Sequence, residues 1–194
     1  MRDRVRAELG SVRYGEFLVY LMGPYTTFDV GDLVPAEVDR EEVSLPSARV
    51  DSDGIDDMLT LLRRVQASLR VDPGVNAFLA VDANVPLEVV DAATQSIEFA
   101  RASNAVVFVL PRLGDSLAVG MEVGSVLEDL YPDDSERVLF VHEADVTSAM
   151  LGGITDRWEA RITSYEDEGE LLTEIRQFVV EIMTREQFGG LERK

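Results

Sequence analysis

Apolar residues follow two rhythms along the chain. Nearly unbroken runs occur at 17–22 (FLVYLM), 74–81 (GVNAFLAV), 105–110 (AVVFVL) and 137–141 (RVLFV). Short apolar runs bounded by Gly, Pro and Asp are the pattern of strands buried on both faces. Between them apolar residues recur every three or four positions, the rhythm of a helix with one buried face. Ile55, Met58, Leu59, Leu62, Val65 and Leu69 define such a face for a helix over 55–69. Val90, Ala93, Ile97 and Ala100 do so for 87–102, and Leu171, Leu172, Ile175, Phe178, Val179 and Ile182 for 166–183. A helix over 117–130 ends before Pro132, and Val5 with Leu9 marks a short one within 1–14. The remainder reads as a short helix or turn at 147–154 and a short strand at 160–164. Residues 29–54 read as a long loop with a short strand at 42–45, and residues 184–194 as a tail that is mobile or docks on a partner. Strands alternating with helices pair in parallel through right-handed crossovers. The expected fold is one α/β domain over 1–194, a doubly wound, flavodoxin-like or Rossmann-like parallel sheet of about five strands flanked by helices.

Charge changes this picture more than composition does. Asp and Glu number 37 against 18 Lys and Arg, for a net charge of −19, and Lys194 alone is lysine. A single-sign field of this size opposes binding to nucleic acid and to anionic membranes. Its self-repulsion is screened when the Debye length falls to roughly 3 Å near 1 M salt. Dense carboxylates with almost no lysine are what a protein of a salt-loving archaeon would carry. There is no cysteine, so disulfides, thiolate nucleophiles and Cys-bound metals are excluded. The N-terminus, MRDRVRAELG, lacks the apolar core of a secretory signal, and no apolar run reaches the length of a membrane span, so a cytoplasmic protein is expected.

Open α/β sheets bind ligands outside the carboxyl ends of their strands. Three segments reach that edge: 23–28 after the first strand, 82–86 after the second and 111–122 after the third. The last holds Asp115 and a glycine-flanked Glu122 where a strand hands over to a helix. Gly23 and Gly120 would let a ligand approach the backbone. His142 and Glu143 end the fourth strand on the same edge, as a substrate contact or as structural hydrogen-bonders. One histidine without cysteine makes no zinc site, and Asp51, Asp53, Asp56 and Asp57 read as helix caps. Neither a GxGxxG nor a P-loop pattern occurs, so no dinucleotide or ATP cofactor is expected.

Three pieces together resemble the nucleoside 2-deoxyribosyltransferase family and its nucleotide N-glycosidase relatives. VYLMGPY (19–25) is similar to the family's first strand and Gly-Pro-aromatic turn, ASNAVVFVLP (102–111) to its third strand, and GDSLAVGMEVG (114–124) to its Asp-loop-Gly-x-Glu-x-Gly segment. The resemblance implies Glu122 as the nucleophile on the anomeric carbon of a nucleoside or nucleoside monophosphate, and Asp115 as the acid for the departing base. It implies substrate contacts from Gly23, Pro24, Tyr25, Gln95, Asn104, Gly120 and Met121, and a homo-oligomer in which a neighbour's tail completes the site. Two family aspartates have no counterpart. Ser103-Asn104 stands before the third strand, and Gln95 and Ser96 stand on the preceding helix. A non-catalytic nucleotide sensor on the same fold, a TIR-like NAD-cleaving domain and a structural module remain the alternatives.

Because self-repulsion falls with screening, the thermal unfolding midpoint is expected to rise between about 0.1 M and about 2 M KCl. A midpoint that does not move would show that the acidic surface costs the fold nothing.

Overall fold

A computed structural model describes residues 1–23, 52–85, 90–110, 117–144 and 157–194, with 52–56, 92 and 117–122 described by backbone alone. Among these, five strands form one sheet: β1 (Tyr14–Met22), β2 (Val75–Phe78), β3 (Ala105–Leu110), β4 (Val138–Glu143) and β5 (Arg161–Tyr165). Every pairing is parallel, in the order β2-β1-β3-β4-β5. Five helices flank it: α1 (Arg2–Glu8), α2 (Ser52–Val71), α3 (Ala92–Ala102), α4 (Leu117–Leu130) and α5 (Glu168–Gln187). This is the doubly wound, flavodoxin-like order.

The unbroken apolar runs have their cause in the two layers. Odd-numbered β1 residues Phe17, Val19 and Leu21 pack with Met58, Leu62, Val65 and Leu69 of α2 and with Ile175, Phe178 and Ile182 of α5. Even-numbered Leu18, Tyr20 and Met22 pack with Phe99 of α3, Val126 and Leu127 of α4, and Val5 of α1. A strand with a core on each side needs apolar residues at successive positions. On the second face Tyr20 stacks on Phe78 at 5.1 Å between centroids, and Phe99 meets both rings edge-on.

Boundaries differ from expectation where side-chain hydrogen bonds intervene. The helix expected from 87 begins at Ala92, because Asp91 caps it: its carboxylate accepts from the Thr94 amide at 3.0 Å and the Thr94 hydroxyl at 2.6 Å. β2 stops at Phe78, where Asp82 turns back to accept the Leu79 amide at 2.9 Å and closes a 3-10 turn over Ala80–Asp82. β1 starts three residues early at Tyr14, with an irregularity in its register to β2 between Tyr14 and Leu18. The expected 42–45 strand and the 147–154 helix or turn lie outside the described residues.

The tail packs against its own chain. α5 runs on to Gln187, and the last residues fold back over the amino-terminal edge of the sheet. Leu191 packs on the α2/α5 core, and the Lys194 ammonium donates to the Arg101 carbonyl and pairs with Asp134 at 2.9 Å. At this edge Arg137 is buried and fully engaged. It donates to Asp134 at 2.9 Å, the Asn104 carbonyl at 3.0 Å, Glu186 at 2.5 Å and the Glu192 carbonyl. Asn104 joins the same cluster: its Oδ1 accepts the Leu18 amide and Arg2, each at 2.9 Å, and its Nδ2 donates to both Glu186 oxygens.

Arg137 and Glu186 side chains are 3% and 5% exposed, so removing Arg137 leaves the Glu186 carboxylate desolvated without its counter-ion, whereas Arg137 also pairs with Asp134. Arg137→Leu should lower the unfolding free energy in urea by about 3–5 kcal/mol. Glu186→Gln, which keeps an acceptor for Asn104 and Arg137, should lose less. A loss for Arg137→Leu within the range of exposed pairs, below about 1 kcal/mol, would remove the cluster from the account of stability.

Candidate functional site at the carboxyl edge

In this strand order the chain leaves β1 toward α2 on one face and leaves β3 toward α4 on the other. The carboxyl ends of β1 and β3 are therefore the topological switch point, where connections diverge and a crevice forms. Gly23 directly follows β1 there. A Cβ on it would lie 3.1 Å from both Leu62 Cδ1 and the Val109 carbonyl oxygen. Packing of β1 between α2 and β3 thus already favours glycine, since any Cβ would press on both neighbours before a ligand is considered. Pro24, Tyr25 and Asp115 lie outside the described residues.

Gly120, Met121 and Glu122 are in α4, and the backbone alone places them. Leu117 opens the helix after β3 has ended at Leu110, so α4 starts at the switch-point edge and descends along the sheet. At about 1.5 Å per residue, Glu122 lies about 7–8 Å below the helix start. The sheet-facing side of the helix continues through the buried Val123, Val126, Leu127 and Leu130.

Gln95 stands in the second turn of α3, at the same edge. It is buried, and its amide nitrogen Nε2 donates to the backbone carbonyls of Val85 at 3.2 Å and Val90 at 2.8 Å. The amide therefore ties the Val85 and Val90 carbonyls to α3. Ser96, one residue on, lies 3.5 Å from the buried Tyr20 hydroxyl. Asn104 is on the opposite edge. It precedes β3, and its amide is bound by Leu18, Arg2 and Glu186, so the structure separates it from Gly23 by the length of the central strands.

An open groove of about 630 Å³ lies along α3 and α4, lined by Ile97, Gly124, Ser125, Glu128 and Asp129. It is not where the candidate chemistry converges. Its carboxylates are already paired on the protein's surface, Asp129 with Arg101 at 2.5 Å and Glu128 with Arg157 and the Trp158 indole at 3.2 Å each.

Beyond β3, the edge is continued by His142 and Glu143 at the end of β4 and Tyr165 at the end of β5. His142 pairs in register with Leu110 and Ser164, and Glu143 with Tyr165. His142 Nδ1 lies 2.8 Å from the Glu143 carbonyl oxygen. Among the described residues no group of three or more His, Asp or Glu is placed to hold a metal ion, and no helix is long and apolar enough to cross a membrane. Residues that sequence reasoning passed over are Arg2, Arg137 and Glu186. Glu186 had a signal, a carboxylate four residues after Ile182 on the apolar stripe of α5.

The profile of a family described as "Domain of unknown function (DUF7509)" matches residues 2–194. No curated protein matches the chain.

Tyr165 is buried at the end of β5, and its hydroxyl is pushed up to about 12, first by burial and then by the charge of Glu143. Between pH 10 and 12 the unfolded phenol loses its proton while the folded one keeps it, so the unfolded state binds fewer protons and stability falls as pH rises. Urea midpoints should drop across that window, and Tyr165→Phe should flatten the drop. An equal slope in the variant would assign it to other groups.

Proposed function

The chain belongs to this family of unknown function, and from the arrangement at its switch point we propose that it is an N-ribosyl (deoxyribosyl) transferase or N-glycosidase working through Glu122. The observation that carries the reading is the course of α4. It begins at the edge where β1 and β3 diverge, and it carries a glycine-flanked glutamate in its second turn. The likeness of 19–25, 102–111 and 114–124 to the deoxyribosyltransferases adds the chemistry.

In this reading the Glu122 carboxylate attacks the anomeric carbon of a nucleoside or nucleoside monophosphate. The C–N bond breaks, Asp115 supplies a proton to the departing base, and a glycosyl ester remains on Glu122. Water or a second base then resolves the ester. The first amides of α4 have no intrahelical acceptor and suit a sugar phosphate at the same edge. Pro24 and Tyr25, after β1, and Met121 beside the nucleophile contribute substrate contacts. A homo-oligomer belongs to the same reading, although the tail that would complete a neighbour's site is engaged at the opposite edge of its own sheet.

A second reading has one observation in its favour. Gln95, where the resemblance expects a carboxylate that handles the base, is occupied by the Val85 and Val90 carbonyls. A nucleotide sensor without chemistry would need no such carboxylate.

The test is release of free base from deoxynucleosides and their monophosphates in molar KCl, followed by chromatography. Wild type should release base, and Glu122→Ala should be slower by at least about a hundredfold. An undiminished rate in that variant would end the nucleophile assignment. Nucleotide binding by calorimetry with no base released would establish the sensor instead.

A further inference from the structure

We propose that the face formed by Arg13, Tyr14, Arg70 and Val71 docks a partner protein through an acidic segment that also carries apolar side chains. The face lies at the amino edge of the sheet, where α1 is joined to β1, and it is independent of the reading of Glu122. Its charge sets it apart. Acids outnumber bases by 37 to 18 over the chain, yet residues 1–14 hold four arginines against Asp3 and Glu8. Elsewhere arginines meet carboxylates, as Arg64 meets Glu168, Arg101 meets Asp129 and Arg161 meets Glu181. Among the described residues Arg13 and Arg70 have no such partner. Arg13 is exposed and lies over the Tyr14 ring, 4.9 Å from its centroid. Arg70 donates to the Asn76 side-chain oxygen at 2.9 Å and to the Gly10 carbonyl at 3.0 Å, both uncharged.

Backbone contacts hold these residues together. The Tyr14 amide donates to the Gly74 carbonyl at 2.7 Å, and the Gly74 amide to the Leu69 carbonyl at 3.0 Å. Gly74 has a φ of +90°, and a Cβ on it would lie 2.9 Å from Arg13 Cβ and 3.8 Å from the Val71 carbonyl oxygen. The turn that follows α2 is thereby pressed against Arg13, with Val71 beside it. Val71 is 85% exposed and Tyr14 40%, so apolar surface borders the two cations. Asp72, the acid next in sequence, pairs with Arg176 of α5 at 3.1 Å and leaves the arginines uncompensated. Aromatic rings and arginines are what protein interfaces concentrate.

Charge complementarity selects the occupant. The Arg13 guanidinium is oriented by the ring and has N–H groups left for a carboxylate, which it takes bidentately. Val71 adds apolar area next to that contact. A long polyanion such as nucleic acid would run on over the rest of a −19 surface, whereas a short acidic segment meets the arginines alone. A second copy packed by two-fold symmetry on this face would set the arginines against each other. Near 1 M salt a Debye length of roughly 3 Å removes repulsion at a distance, while a bidentate pair at contact and apolar burial persist.

The experiment is selection from a displayed library of randomised peptides on the intact chain in molar KCl, followed by fluorescence anisotropy of the enriched peptide. Enriched sequences should share a carboxylate next to an apolar residue. Arg13→Gln and Val71→Ser, both at exposed positions, should each weaken binding, the first by at least about tenfold. Replacing the peptide's carboxylates by amides should weaken it by a similar factor, a comparison that needs no protein variant. No enrichment, enriched sequences without carboxylates, or equal affinity for the wild type and either variant would overturn the proposal. A complex with single-stranded oligothymidylate that depends on Arg13 would overturn it in favour of nucleic acid. Self-association in sedimentation that is lost in Arg13→Gln would overturn it in favour of a second copy.

Discussion

The contact on which the molecule depends is the one between Asn104 and Leu18. The Asn104 backbone amide donates to the Leu18 carbonyl at 2.9 Å while its side-chain oxygen accepts the Leu18 amide at 2.9 Å. A single residue thereby takes both polar groups of a β1 residue, one position before the regular pairing of Val19 with Ala105 begins. The two central strands are locked at their amino ends by an interaction that no alternative register would reproduce. Their carboxyl ends are then free to part company, with one connection passing to each face of the sheet.

Charge gathers behind that lock. Arg2, Arg137, Glu186, Asp134 and Lys194 come from α1, the approach to β4, α5 and the tail, and they meet at one edge. A buried ion pair adds little net stability over apolar packing, since desolvation offsets most of the attraction. What it does is penalise every arrangement in which a partner is missing. Arg137 has donors for Asp134 in its own turn and for Asn104, Glu186 and Glu192, so the start of β3, α5 and the tail must all arrive before its guanidinium is satisfied. The two edges of the sheet thus have distinct chemistry. One is closed by polar groups bound to each other, and the other carries His142, Glu143 and the start of α4 at its rim.

How far the sequence could be read follows from the range of the forces involved. FLVYLM and AVVFVL announce strands with cores on both faces because burial acts residue by residue, and the α4 boundaries at 117 and 130 follow from local periodicity and Pro132. The start of α3 was misplaced because Pro86 is a permissive signal, whereas the cap that Asp91 makes with Thr94 is an energetic one. Asn104 and Gln95 looked like ligand contacts from their neighbours in sequence. Their amides are committed to Leu18, Glu186, Val85 and Val90, between 5 and 86 positions away. Local pattern carries no information about partners so distant. The same limit applies to the site, where position at the switch point was legible from strand order but the company kept by each side chain was not.

The fold-back of the tail has a practical side. Lys194 is the chain's one lysine, its side chain is 19% exposed, and its ammonium is held between Asp134 and the Arg101 carbonyl. Every other cationic side chain that is always charged is a guanidinium, inert to acylating reagents under mild conditions. Apart from the N-terminal amine, the molecule therefore carries a single amine probe, and that probe sits at the clasp of its buried charge cluster. The rate at which an activated ester finds Lys194 measures how often the clasp opens, without any label having to be engineered into the protein.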